Sequence, residues 1–269
     1  MPNCGLVNLG ACLPQMFFDF VLGLILSPIQ PFLQLTLDLL REPINISLFM
    51  SLWVIVVYCL SMFYAMLLVG TGFTFLLAGY NSEKREQAKE WLRNIIIMII
   101  LVQSSFFLYQ LVIDLSSTMT SAILTLIDPH FFTISASSLN GLAISILLGG
   151  LYLLVLLNTF LILIVRYVIV CIGVVFLPLG IFFYFLPSLK QYGSLILNFL
   201  GICIFMTAID AIILIGFSRL ANLTIFSNLQ IVVVITAFIT IDILMMFLLF
   251  FAALRSAFRT YMKIKRLKI

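Results

Sequence analysis

The chain has 269 residues, 64% hydrophobic and only 9% charged, with 14 Lys and Arg, 10 Asp and Glu and a single His. About a quarter of a globular domain is charged, so this chain has too few charges to cover a water-facing surface. Together with a mean hydropathy of +1.28, that excludes a soluble enzyme, a DNA-binding domain and a disulfide-dense secreted module. Its apolar runs are unbroken, which also excludes a transmembrane β-barrel, where apolar and polar residues alternate. The class is an all-α, multi-pass membrane protein.

In chain order, Cys4 and Cys12 come first, flanking the short segment from Gly5 to Ala11. They are the only cysteines outside the apolar runs, and their spacing is compatible with a small disulfide loop on an oxidising face. No Lys or Arg precedes the first apolar stretch, which argues against a cleaved signal peptide. Residues 16–40 are apolar but carry Asp19, Pro28, Pro31 and Asp38. That mixture suits an in-plane amphipathic helix bent at 27–31, with its apolar side toward lipid; the alternative is a sixth span. Three regions follow: an outer segment 1–46, a transmembrane domain 47–254 and a basic tail 255–269.

Apolar runs cover about 47–79, 94–120, 141–187, 194–217 and 229–254, each able to supply the roughly 20 residues a membrane helix needs. Between the first two lies a charged stretch with Lys84, Arg85, Lys89 and Arg93 among three glutamates. The tail carries Arg255, Arg259, Lys263, Lys265, Arg266 and Lys268 and no acid. Positive loops stay inside, so an even number of crossings must separate the two clusters. The run at 141–187 must then cross once, about 141–165. Its remainder, 167–187, is expected to re-enter or lie along the inner interface, broken by Gly173, Pro178 and Gly180. Counting Arg166 and Lys190 at that face puts 12 of the 14 basic residues inside. Five spans result, with the N-terminus outside and the C-terminus inside. Two Asn-x-Ser/Thr sequons, at Asn45 and Asn222, fall on the outer side.

Chemistry is sparse. His130 is alone in a loop, where a solvated side chain is its ordinary state. Asp210 and Asp242 sit about 22 Å and about 18 Å from the inner ends of their spans at ~1.5 Å per residue, and Asp114 lies nearer the outer end of its own. Intramembrane carboxylates face protein or water; these three could bond between helices or line a wet lumen in an oligomer, and Asp210 and Asp242 could relay protons. The motifs of intramembrane aspartyl proteases are absent. So are a phosphate loop, a metal-ligand cluster, a serine nucleophile and the two similar halves of inverted-repeat transporters. The expectation is a non-enzyme without cofactor or metal. The span at 94–120 is the most polar, and Gln103, Gln110 and Ser117 recur every seven residues, near one face.

Three stretches together resemble the polytopic inner-membrane subunit of type IV secretion and conjugation machines, the TrbL/VirB-type family, or related archaeal DNA-import systems. One is Met16-Phe17-Phe18-Asp19-Phe20 ahead of a proline-bent in-plane helix. The second is the linker Ala78-Gly79-Tyr80-Asn81-Ser82-Glu83-Lys84-Arg85-Glu86-Gln87-Ala88-Lys89. The third runs from Arg166 through Leu177-Pro178-Leu179-Gly180 to Leu186-Pro187, with Gly180 where the family usually has alanine. The long extracytoplasmic loop of many bacterial members is missing. The resemblance implies a platform or channel subunit of the cell membrane for DNA transfer or pilus assembly. It implies a homo-oligomer beside a conjugation-type ATPase and a pilin-like subunit, with DNA as cargo. Lys84, Arg85, Lys89 and Arg93 would face those partners, and Arg166, Pro178 and Pro187 would form a family-specific elbow. The rival class is an ion- or proton-coupled transporter using the intramembrane aspartates.

Overall fold

The computed structural model describes residues 17, 20–21, 23–24, 27–41, 44–77, 82–132, 142–223, 226 and 229–267. Cys4, Cys12 and most of the 16–26 stretch lie outside the described residues. Every regular element among them is helical: α1 (Ile29–Arg41), a short 3-10 turn (Ser47–Phe49), α2 (Met50–Leu77), α3 (Ser82–Gln103), α4 (Ser105–Leu124), a 3-10 turn (Pro129–Phe132), α5 (Leu142–Phe185), α6 (Lys190–Ala221) and α7 (Gln230–Leu267). Five stretches are long and apolar enough to cross a bilayer: Ser47–Leu77, Ser105–Leu124, Ile146–Phe185, Lys190–Ala221 and Gln230–Phe251. Each overlaps one of the five apolar runs, but the second begins at Ser105 rather than at 94. The protein is an all-α, multi-pass membrane protein.

Contacts divide the chain into two compact units. The first comprises Met1–Glu42, Ser117–Val165 and Thr207–Met246; the second comprises Pro43–Ser116, Arg166–Met206 and Phe247–Ile269. In the first unit, α1 buries Ile29, Leu33, Thr36 and Leu40, while Gln30, Gln34, Asp38 and Arg41 point away. This is the expected amphipathic helix, preceded by a turn at Ser27 and Pro28. Its apolar side does not face lipid, however. It packs on protein, with Phe32 set edge-on against Phe160 at 5.8 Å between ring centroids. The Arg41 carbonyl, in the open last turn, accepts a bond from Ser117 Oγ at 2.9 Å, which satisfies one of the acceptors a helix end leaves unpaired.

In the second unit, α2 and α3 form an antiparallel hairpin. Val57, Leu60 and Tyr64 on α2 share a core with Ile95, Met98 and Val102 on α3 and with Ile181 and Phe182 on α5. The seam is narrow. Only 17% of the most apolar window of the α2 span is buried, against 50% for α6, so α2 turns most of its side chains away from the chain. The basic linker 82–93 forms the first three turns of α3, which continues to Gln103. A break within the 94–120 run falls at Ser104, whose Oγ donates to the Ile100 carbonyl at 2.8 Å. Serine hydroxyls bonded back to the preceding turn bend helices.

The largest departure from expectation is α5. Its 44 residues run without interruption from Leu142 to Phe185, with Pro178 inside the helix. At ~1.5 Å per residue that is about 66 Å. The helix is not broken at Gly173, Pro178 or Gly180, and the elbow expected from Arg166 to Pro187 is continuous helix to Phe185, followed by a turn at Pro187–Leu189. Proline is tolerated within membrane helices because neighbours re-satisfy the freed carbonyl. The two glycines serve contact rather than breakage. A Cβ on Gly180 would lie 3.0 Å from Ile196 Cγ2, and one on Gly173 would collide with the Tyr109 hydroxyl and Leu200.

Candidate functional site: two intramembrane polar centres

The first unit holds a carboxylate centre. Asp242, on α7, is buried. Its Oδ2 accepts a bond from Asn158 Nδ2 at 2.7 Å, and its Oδ1 pairs with Thr159 Oγ1 at the same distance. Asn158 and Thr159 are consecutive on α5, so one helix presents two polar groups to one carboxyl. Thr159 Oγ1 also lies 3.0 Å from the Val155 carbonyl, and a hydroxyl has one hydrogen. With Asp242 ionised, Thr159 donates to it. With Asp242 neutral, Asp242 donates to Thr159, and Thr159 donates to Val155. Both protonation states leave every group in the trio bonded. Asp210, on α6, is fully buried in this unit. Nearby on the same helix, Thr207 Oγ1 lies 3.4 Å from Thr120 Oγ1 of α4.

The second unit holds a cationic centre. Arg166, on α5, is buried, and its Nε donates to the Cys203 carbonyl at 2.8 Å and its Nη2 to the Ile204 carbonyl at 3.0 Å. Ser116 Oγ donates to the same Ile204 carbonyl at 2.8 Å, so helices α4 and α5 both bond to one turn of α6. One turn along α5, Tyr109 OH donates to the Val170 carbonyl at 2.7 Å. Trp53 Nε1 donates to Ser105 Oγ at 2.9 Å, tying α2 to α4. Near the α5–α6 turn, Gly193 is packed against the main chain of Tyr184 and Gly180.

Arg166, expected among the charges of the inner face, is instead buried within the second unit, where its guanidinium is bonded to α6 carbonyls. Lys190 does sit at a helix end, over the Tyr184 ring at 5.5 Å from its centroid. Trp91 and Asn94 of α3 border the same small space as Phe185 and Pro187. The charged turns of α3 and the α5–α6 turn therefore meet at one end of the second unit. Lys84, Arg85, Lys89 and Arg93 are exposed there, with Arg93 4.0 Å from Glu90. Pro178 is buried mid-helix and Pro187 exposed in the turn, so the three residues of the expected elbow do not form one site.

Asp114 and Gln110 on α4 and Gln103 at the end of α3 are exposed, while Ser117 donates to the Arg41 carbonyl. Among the described residues no cluster of three or more His, Cys, Asp or Glu is placed to hold a metal ion. Cys171 and Cys203 are buried free thiols and Cys59 an exposed one. The sequence reading missed Asn158 and Thr159. Their signal is that they are the one adjacent pair of hydrogen-bonding side chains in an otherwise apolar stretch from 146 to 165. It also missed Tyr109, whose partner is a main-chain carbonyl.

The chain matches no family model, no curated protein and no solved structure. Its likeness to the conjugation subunit rests on the short motifs alone.

Proposed function

We propose that the chain is a non-catalytic platform subunit of a type IV secretion-like machine in the cell membrane. In this reading the N-terminus is outside, and the α3 turns and the tail are cytoplasmic. It works as a homo-oligomer beside a conjugation-type ATPase and a pilin-like subunit, in DNA transfer or pilus assembly. The observation that carries the platform reading is the use made of intramembrane charge. Asp242 joins α7 to α5, and Arg166 joins α5 to α6, through short bonds between helices. Charged groups bonded this way hold helices to one another, which suits a scaffold. The machine itself is suggested by the resemblance at 78–89 and 166–187. The side assignment rests on the basic residues of α3, Lys190 and the tail.

The test is DNA transfer from cells carrying defined variants. The platform reading expects transfer near wild type for Asp210→Asn with Asp242→Asn. It expects loss of transfer when Lys84, Arg85, Lys89 and Arg93 are all changed to Gln at normal protein level, with topology verified in that variant. Loss in the double Asn variant, with transfer retained in the quadruple variant, assigns the chain to the rival class of proton-coupled transporters.

A further inference from the structure

Between the last turns of α2 and the first turns of α3 lies a cavity of about 430 Å³ lined by Thr74, Leu77, Lys84, Gln87, Ala88 and Trp91. Four of these come from α3 with the i, i+3, i+4, i+7 spacing of one helix face. Ala88 is the buried member, and its single methyl leaves the space a longer side chain would fill. The wall is divided by chemistry. Lys84 brings an ammonium with three donors and Gln87 an amide with two, and neither makes an ion pair or hydrogen bond among the described residues. Glu83, Glu86 and Glu90 share the helix but do not line the cavity. Leu77 and the Trp91 ring supply the apolar side.

The cavity lies where the chain passes from hydrocarbon to water. Phe73, Leu76 and Leu77, on the last turns of α2, are 63%, 79% and 82% exposed, and the charged stretch begins at Glu83. Trp91 is 40% exposed, at the level where tryptophan is enriched in membrane proteins. A ligand there needs an anionic head for Lys84 and Gln87 and an apolar tail to lie along Phe73 and Leu76. We propose that this cavity seats the phosphate headgroup of an anionic glycerophospholipid. The cation attracts the net negative head, the amide bonds a phosphate or glycerol oxygen, and the Trp91 ring covers the glycerol backbone. The site is a property of the α2–α3 hairpin and holds whatever machine the chain serves.

The experiment uses the full chain carrying Trp53→Phe, which leaves Trp91 as the one tryptophan. The protein is reconstituted in phosphatidylcholine vesicles, and lipid with brominated acyl chains is added as either phosphatidylglycerol or phosphatidylcholine. Bromine quenches tryptophan on contact. The expected result is a several-fold preference of the Trp91 site for the brominated phosphatidylglycerol. One Lys near a membrane surface is worth about 1 kcal/mol, so Lys84→Gln should cut that preference about fivefold, and Ala88→Leu should abolish quenching by both lipids. Arg85→Gln, which removes the same charge beside the cavity, should leave the preference within twofold of wild type. Equal quenching by the two lipids overturns the proposal. So does an equal loss in Arg85→Gln and Lys84→Gln, which would make the effect a general surface attraction. Relief of the preference by inorganic phosphate would assign the cavity to a soluble phosphate and also overturn the lipid.

Discussion

The two polar centres solve opposite problems with different materials. In the first unit an anion, Asp242, is met by two side chains, Asn158 and Thr159. In the second a cation, Arg166, is met by the main-chain carbonyls of Cys203 and Ile204. The difference follows from helix stoichiometry. A helical N–H has one hydrogen, already engaged four residues back, so the middle of a helix has no donor left for an anion. A carbonyl oxygen has two lone pairs, so the middle of a helix can still accept from a cation. Buried cations can therefore be held by any apolar helix, whereas buried anions require polar side chains in the sequence.

The close approach in the second unit is the first way to break that contrast, and the largest effect is expected there. The hydrogen of Gly193 faces the main chain of Tyr184 and Gly180, and a Cβ at that position would fall within contact of backbone atoms that no rotamer change can move. Overpacking costs about 1–3 kcal/mol and more where backbone must shift, so Gly193→Ala is expected at the top of that range. The thermal midpoint of the purified protein in detergent should fall by many degrees, and membrane accumulation should drop. A midpoint unchanged from wild type would mean that α5 and α6 do not approach at this turn.

The anion centre is tested by a pair of substitutions with different expectations. In Asp242→Asn the new amide oxygen accepts from Asn158, the new NH2 donates to Thr159, and the Thr159 hydroxyl turns to Val155, 3.0 Å away. Every group stays bonded, and the stability change should be within about 0.5 kcal/mol, the scale of a substitution that breaks no bond. Asp242→Leu leaves the Asn158 amide and the Thr159 hydroxyl facing an alkyl group. Leaving a buried polar group unmet costs about 1–3 kcal/mol, and this is the expected loss, read as a lower thermal midpoint. Equal midpoints for the two variants would show that the trio does not hold α5 to α7.

The same stoichiometry explains what could be read in advance. The number of spans was legible because apolar length and charge clustering record it directly. Asn158 and Thr159 were overlooked, although they stand as a polar pair within a run of Leu, Ile and Val, and nothing in the sequence pointed to their partner. Arg166 was not legible. A single Arg within a long apolar run has the same appearance whether it marks a membrane surface or lies in a bundle, because its partners here are carbonyls that every residue carries. That ambiguity also produced the expectation of a re-entrant segment after 166. The side of α1 that meets protein was hidden for a related reason. An apolar stripe at Ile29, Leu33 and Leu40 looks alike against lipid and against Phe160.

The smallest effect sharpens the contrast most, because it isolates one main-chain acceptor. Tyr109 OH donates to the Val170 carbonyl at 2.7 Å, and Gly173 lies beneath the same hydroxyl. Tyr109→Phe removes a buried bond worth about 1 kcal/mol, and the carbonyl is left with its own helix as partner. Gly173→Ala alone gains helix propensity of about 1 kcal/mol but sets a methyl against the Tyr109 hydroxyl and Leu200 Cδ2, and overpacking of about 1–3 kcal/mol should outweigh that gain. The two changes are not independent. With the hydroxyl gone, the methyl meets the Phe ring edge and Leu200, whose side chain can rotate, so the double variant should be more stable than the sum of the single losses predicts. Contacting residues show coupling of about 0.5–3 kcal/mol, and the thermal midpoints of the four proteins measure it. A coupling near zero would place the Tyr109 hydroxyl elsewhere than between Val170 and Gly173. A double variant more stable than additivity predicts would mean that the glycine is there to let the Tyr109 side chain reach the α5 backbone, as Arg166 and Ser116 reach that of α6.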